Sequence, residues 1–205
     1  MIEQAVDCFE IVYTKFRKLI LTKGIPSGEP ICQTKLSQIL NANIDCLDLA
    51  VERLRKETFV TLNSKKEIMI REVSTKEIID ILDYRIALET QAIKLFTLRA
   101  PQARIDDLRN LMVPFENGPQ NGYVFHKIYR IFHEIIVDNC GNDMLVSIFR
   151  QFNCWPTLEL LGFTRPLMEI LQEHLDIVSA VHNRDANKAA DLIQQHLEQC
   201  KFSIL

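Results

Sequence analysis

Two histidines, His174 and His196, stand at equal distances on either side of a short polar turn, and imidazoles held level in that way can share a metal ion. Each lies eleven residues from Asp185, one before it and one after. Residues 166–182 carry Leu167, Ile170, Leu171, Ile177, Val178 and Val181 at a helical period, and 186–201 repeat it with Ala189, Leu192, Ile193, Leu197 and Cys200. Asp185 is a good N-cap for the second segment. Folded back as a hairpin, the two helices place both histidines roughly 16 Å from the turn at 1.5 Å rise per residue, on apolar faces that look into one interior. A core histidine bonded to a neighbour is the plain alternative for either ring taken alone.

The elements that must position these rings are mostly helices. The chain has 205 residues with 47% hydrophobic and 25% charged, and only 6 glycines and 7 prolines, which predicts a mainly α protein with room for one large or two small domains. No apolar run approaches the roughly 18–20 residues of a membrane helix, so no membrane partner is expected. The acidic start does not resemble a signal peptide, and the protein is expected in the cytoplasm. Six cysteines without CxxC spacing are expected as reduced thiols. The net charge of −3 argues against nonspecific nucleic-acid binding by the whole chain. Residues 1–72 carry 11 Lys/Arg against 10 Asp/Glu, and the remainder 13 against 17.

Residues 3–23 have a helical apolar stripe, and 24–30 form a turn-rich break. Two short helices, 34–41 and 46–56, flank a polar turn, and β-branched runs at 59–62 and 68–71 bracket a hairpin. That order is a winged helix-turn-helix. From Ser74, whose spacing to Glu77 is that of a capping box, helices are expected over 74–98, 102–112, 122–139, 142–153 and 157–161, then the hairpin helices, with the main loop at 114–122, including Asn117 and Pro119. The expected architecture is an N-terminal winged helix-turn-helix with a small β-hairpin, residues 1–73, and an all-α helical bundle, residues 74–205.

Several motifs in order carry a family resemblance. Pro26-Ser27-Gly28 precedes the helix-turn-helix, with Leu36, Leu40, Leu47, Leu54 and Phe59-Val60 as core positions. Arg85, Leu88 and Glu89 form R-x-x-L-E, and Phe132-His133 is followed by Gly141-Asn142-Asp143-Met144-Leu145. Glu173-His174 and His196-Leu197 complete the set. The chain resembles the GntR family of bacterial transcription regulators, in its FadR-like branch with an FCD effector domain, over most of its length. The resemblance implies a dimer whose operator binding is controlled by a small metabolite in the helical domain. It also implies a divalent metal held by one Asp and three His, which match His133, His174 and His196. The Asp position is Tyr129 here, so the anionic ligand is missing and a place is left for water or a ligand carboxylate. Neutral imidazoles suit zinc or nickel.

Arg85 and Glu89 are an i,i+4 pair, either a surface pair or a means of aiming Arg85 at an effector carboxylate. Tyr129 and Arg130 are the other candidate effector contacts. His126 is two turns from His133, about 10 Å along the helix, too far to substitute, and His182 is expected in solvent. Trp155, Phe149, Phe152 and Phe163 are expected as core. For DNA, the candidates are Lys35, Asn43 and Arg53, with Lys65 and Lys66 at the wing tip. The resemblance puts basic residues where Ile44 and Asp48 stand, and Asp45 adds a second carboxylate, which weakens the expected electrostatic attraction to phosphate. The wing also lacks a glycine.

The expected function is therefore a regulator in which a small anionic metabolite shifts the spacing of paired recognition helices and so operator affinity. A related binding or interaction protein without specific DNA recognition is the alternative. A three-histidine hydrolase is disfavoured, because no glutamate is in register as general base and Glu173 points elsewhere than His174.

Overall fold

In a computed structural model, which describes residues 2–115, 118 and 121–205, the chain divides into two compact units. One is Met1–Val73 with Pro156–Gly162, the other Ser74–Trp155 with Phe163–Leu205. The expected loop residues Asn117 and Pro119 lie outside the described residues.

The first unit runs α1 (Ile2–Leu21), β1 (Pro30–Ile31), α2 (Gln33–Leu40), α3 (Ile44–Lys56), β2 (Val60–Leu62) and β3 (Ile68–Ile70). Its antiparallel sheet has the order β1-β3-β2, with Ile31 opposite Ile68 and Thr61 opposite Met69. Strand β1 begins at Pro30, the last residue of the stretch expected as a mere break. Gly28 turns the chain at φ +76°, where an added Cβ would collide with the Glu72 carboxyl, and its N–H bonds Ile70 O at 3.0 Å. Pro30 then starts the edge strand, where its missing N–H costs no ladder bond. Helix α3 begins two residues before the expected start, because Asn43 Oδ1 accepts the Asp45 N–H at 2.8 Å.

Phe16, Ile20, Leu36, Leu47, Leu54, Phe59 and Ile68 fill the core of this unit, and Leu160 joins them from far along the chain. Around Leu160, Arg17 pairs with Glu159, and Arg71 Nη2 donates to Thr157 Oγ1 at 2.5 Å. Packing of α1 on α3 also brings Cys8 and Cys46 within a Cα–Cα distance of 6.0 Å, and the two form a disulfide. The expectation of reduced thiols throughout is corrected at this pair; Cys32, Cys140, Cys154 and Cys200 are free.

The second unit is built from α4 (Thr75–Arg99), α5 (Gln102–Met112), α6 (Gly122–Asp138), α7 (Asp143–Gln151), α9 (Leu167–His182) and α10 (Ala186–Phe202), with α8 (Trp155–Leu161) starting from it at Trp155. Ser74 Oγ accepts the Glu77 N–H at 3.1 Å and starts α4, a cap that stabilises by about 1 kcal/mol. The helix ends at Arg99, and its C-cap Ala100 is extended, the conformation favoured for a residue before proline. Asp185 caps α10 through the Lys188 N–H at 3.0 Å. Arg184, at φ +57°, bends the hairpin, and its guanidinium donates to the carbonyls of Thr97 and Ala100 at the end of α4. Thus α9 and α10 pack along each other, and α10 packs along α4. Among the described residues, no helix is long and apolar enough to cross a membrane.

Candidate metal and effector chamber

Four helices of the second unit each send polar side chains into its apolar interior. Helix α6 supplies Tyr129 and His133, four residues apart and so on one face. Helix α9 supplies His174, α10 supplies His196, and α4 supplies Arg85 and Glu89, again an i,i+4 pair. All six are buried. One ligating atom from each of His133, His174 and His196 lies within 4.8 Å of the others. The three histidines expected from sequence are thus brought together.

Hydrogen bonds fix which ring nitrogen faces inward. His133 Nδ1 bonds Glu89 Oε2 at 2.5 Å, and His196 Nδ1 bonds Glu173 Oε2 at 2.7 Å. A carboxylate on one nitrogen holds the proton there and leaves the other with its lone pair, the arrangement found behind metal-ligating imidazoles. His133 Nε2 and both nitrogens of His174 are buried with no hydrogen-bond partner, although His174 stacks on Phe132 at 4.1 Å between centroids. A buried polar atom left unpaired costs about 1–3 kcal/mol. Such orphaned nitrogens, facing one another, fit a cation that takes imidazole.

Electrostatics keeps the donors in ligating form. Burial pushes the His133 and His174 imidazoles well below their ordinary range, and the nearby Arg85 guanidinium adds to this. Burial also lowers His196, opposed by Glu173. Glu173, despite its partial burial, is held at about 2 by hydrogen bonds from His196 and Arg165. Burial raises the Glu89 carboxyl, opposed by the Arg85 guanidinium beside it, whose Nε donates to Glu89 Oε1 at 2.5 Å. Burial keeps the Tyr129 phenol protonated, raised above its ordinary range.

Arg85 and Glu89 are therefore not a surface pair: both are buried, and Arg85 turns inward while bonded to Glu89. Its Nη1 donates to Tyr129 Oη at 3.2 Å, its guanidinium lies 4.8 Å from the Trp155 ring centroid, and its Nη2 is buried with no partner. That open donor is what a carboxylate would take. Tyr129 joins the chamber, with its Oη 3.2 Å from His196 Nε2. Arg130 does not share it. Its Nε donates to Glu134 at 2.8 Å, and it lines a neighbouring cleft of about 350 Å³ with Asp138, Arg150 and Trp155. The expected place of Arg130 in the effector cavity is corrected accordingly, since successive residues on a helix point about 100° apart and Tyr129 takes the inward direction.

Among the other expectations, His126 stacks on Phe163 at 3.9 Å and His182 is exposed, outside the cluster. Trp155 and Phe149 are buried, but Phe152 is 51% exposed, edge-on to Tyr84. Two residues escaped the sequence reading, which found no glutamate in register with the histidines. Glu89 was visible only as half of an i,i+4 pair, and Glu173 only as a neighbour of His174. Glu173 does point away from His174, and in doing so reaches the ring of His196.

In the first unit, Lys35, Lys65 and Lys66 are exposed, the last two at the β2–β3 tip. Asn43 is exposed at the start of α3, with its Oδ1 engaged in capping. Arg53 turns the other way, which corrects its expected role at DNA. Its guanidinium lies 4.0 Å from the Tyr13 ring centroid and bonds Glu57 at 3.1 Å and Glu10 at 2.8 Å, so α1 and the end of α3 occupy its donors.

Residues 80–199 match the family model of the FCD domain. The chain is 24% identical over 195 residues to an uncharacterized HTH-type transcriptional regulator, YdhC, of Bacillus subtilis, covering 90% of this chain and 85% of that protein. It is 25% identical to the HTH-type transcriptional repressor GlaR of Escherichia coli over 90% of both. Its fold is similar to that of E. coli McbR/YncC, at a TM-score of 0.67 and 15% identity, with 94% of each chain covered.

Proposed function

The chain belongs to the GntR family of transcription regulators with an FCD effector domain, and from that premise we propose a cytoplasmic, metal-dependent regulator in which a small carboxylate sets operator affinity. The observation that carries this reading is the group of unpaired buried polar atoms, His133 Nε2, both His174 nitrogens and Arg85 Nη2, in one apolar interior. His133, His174 and His196 would hold a divalent ion, zinc or nickel first by donor type. The ion supplies a positive, Lewis-acidic point to a carboxylate oxygen. Arg85 would orient the same carboxylate through its open Nη2, and Glu89 holds both Arg85 and His133 in place.

The winged unit would meet operator DNA as part of a homodimer, with Lys35, Asn43, Lys65 and Lys66 as the contacts its surface supplies. An effector with higher affinity for one of two states of the regulator shifts operator binding by the difference in those affinities. The test is binding to the DNA around the protein's own gene, with and without bound metal and a series of small carboxylates, at several salt concentrations. A specific complex, with a steep salt slope and altered by one carboxylate only when metal is bound, supports the reading. Indifference to every carboxylate in the metal-loaded protein counts against it.

A second reading has one specific observation in its favour. Asp45, Asp48, Leu49, Glu52 and Leu62 line one surface hollow on α3 and the wing. Three carboxylates there would face a polyanion. In this reading the effector unit retains its ligand, while the α3 surface meets a protein partner instead of an operator. Absence of any specific DNA complex up to high protein concentration would favour it.

A further inference from the structure

We infer that Tyr129 is a fourth protein ligand of the chamber's ion, bound through its phenolate oxygen, so that this chain builds a centre of three imidazoles and one tyrosinate. The inference rests on the metal reading above and replaces the missing anionic ligand with a residue already in place.

Geometry comes first. Two donors on one four-coordinate ion with bonds of roughly 2.0–2.1 Å stand roughly 3.3 Å apart. Tyr129 Oη stands 3.2 Å from His196 Nε2, the nitrogen that Glu173 leaves free to ligate. The Tyr129 ring also touches the other two imidazoles, with centroids 4.6 Å from His133 and 5.2 Å from His174. The oxygen is thus spaced from one donor as a co-ligand would be, on a ring that lies against all three.

The proton balance is equally direct. With its Nδ1 proton held by Glu173, His196 Nε2 accepts the Tyr129 hydroxyl proton. Tyr129 then uses the direction in which both groups would ligate. On coordination the O–H bond breaks, the proton leaves to solvent, and the oxygen pair and the Nε2 lone pair both turn to the ion. One proton is released per ion for this residue.

Charge supplies the driving force. The interior already holds Arg85 and Glu89 as an ion pair, so a divalent ion beside a neutral phenol would leave an excess of two positive charges in a buried site. A phenolate halves that excess, and an uncompensated buried charge is costly. Arg85 Nη1 donates to the same oxygen at 3.2 Å, which favours its anionic form. The remaining positive charge suits an anionic effector, whose carboxylate would add to the four-ligand ion as a fifth donor while Arg85 Nη2 takes its other oxygen.

The experiment loads the metal-free protein with Cu(II) alone and records its visible and resonance Raman spectra. The expected result is about one ion per chain and a charge-transfer band whose Raman enhancement shows the modes of a metal-bound phenolate. Tyr129→Phe keeps the fold and the three imidazoles, loses the phenolate modes, and weakens Zn(II) binding by at least roughly tenfold, as removing even an outer-shell partner does. Tyr129→Asp loses the modes and recovers affinity. An ion bound in wild type and lost in His174→Ala, but without phenolate modes and with equal affinity in Tyr129→Phe, overturns the inference and leaves the metal reading standing. Failure of wild type to bind any ion overturns both.

Discussion

His174 on α9 and His196 on α10 face each other with ring centroids 4.8 Å apart, level across the hairpin that Asp185 caps. Of these two rings, His196 has a carboxylate on its outer nitrogen and His174 has neither nitrogen bonded. His174 therefore has no competing partner to give up when an ion arrives. His174→Ala and His196→Ala are each expected to reduce bound zinc strongly, by more than the roughly 10–100-fold typical of outer-shell changes. His182→Ala, on an exposed ring beside the turn, is expected to leave it unchanged. Elemental analysis of the purified variants, with competitive zinc titration, checks this; undiminished metal in the first two refutes the assignment.

Arg85 and Glu89 form a fully buried ion pair that also anchors His133. Removing one partner strands the other charge without water. Glu89→Ala is expected to destabilise the second unit by about 3–5 kcal/mol, whereas Arg85→Met combined with Glu89→Met should cost far less, since apolar replacement of a whole buried pair is often neutral. Chemical denaturation of both variants reads the difference. Equal losses would mean that the pair is not the source of the effect.

The hairpin could be foreseen because a helical period, a capping Asp and equal spacing all fix the same register. The capping box at Ser74 and the order of the winged unit were legible for the same reason: local rules agree with one another. The roles of Glu89 and Glu173 were not, because an i,i+4 pair looks the same on a solvated face as under a covering helix. What buries Glu89 is the arrival of α6 and α10, which is tertiary information. Arg53 was partly legible in retrospect. It lies three residues after Ala50, beside the buried stripe of Leu47, Ala50 and Leu54, and so faces α1 instead of the open side. Strand β1 has two residues, too few for an alternation to register.

Cys8 and Cys46 close a loop with a sequence separation of 38 between α1 and the start of α3. Loop-closure entropy for that length amounts to about 4 kcal/mol, and measured values run about 2–4. Thiol titration of the unfolded protein without reductant is expected to count the four free cysteines, and six after reduction. Cys46→Ser should lower the stability of the first unit by about 2–4 kcal/mol and make it insensitive to reductant. Six thiols before reduction would rule out the bridge.

The exposed lysines at the wing tip and Arg53, whose guanidinium is engaged by Glu10, Glu57 and Tyr13, make opposite predictions for DNA. Each phosphate contact contributes roughly 0.9 to the slope of log affinity against log salt. Lys65→Ala with Lys66→Ala is therefore expected to weaken binding to all sequences alike and to flatten the slope by about 2. Arg53→Ala removes bonds to Glu10 and Glu57 and the stacking on Tyr13, so its loss falls on folding stability and leaves the salt slope as it was. The carboxylates of Asp45 and Asp48 supply the third arm. Asp45→Asn with Asp48→Asn removes two negative charges from the leading part of α3, and binding at low salt should strengthen. A wing variant with an unchanged slope, or a charge-neutralised α3 that binds no better, would move these surfaces away from nucleic acid and toward a protein partner.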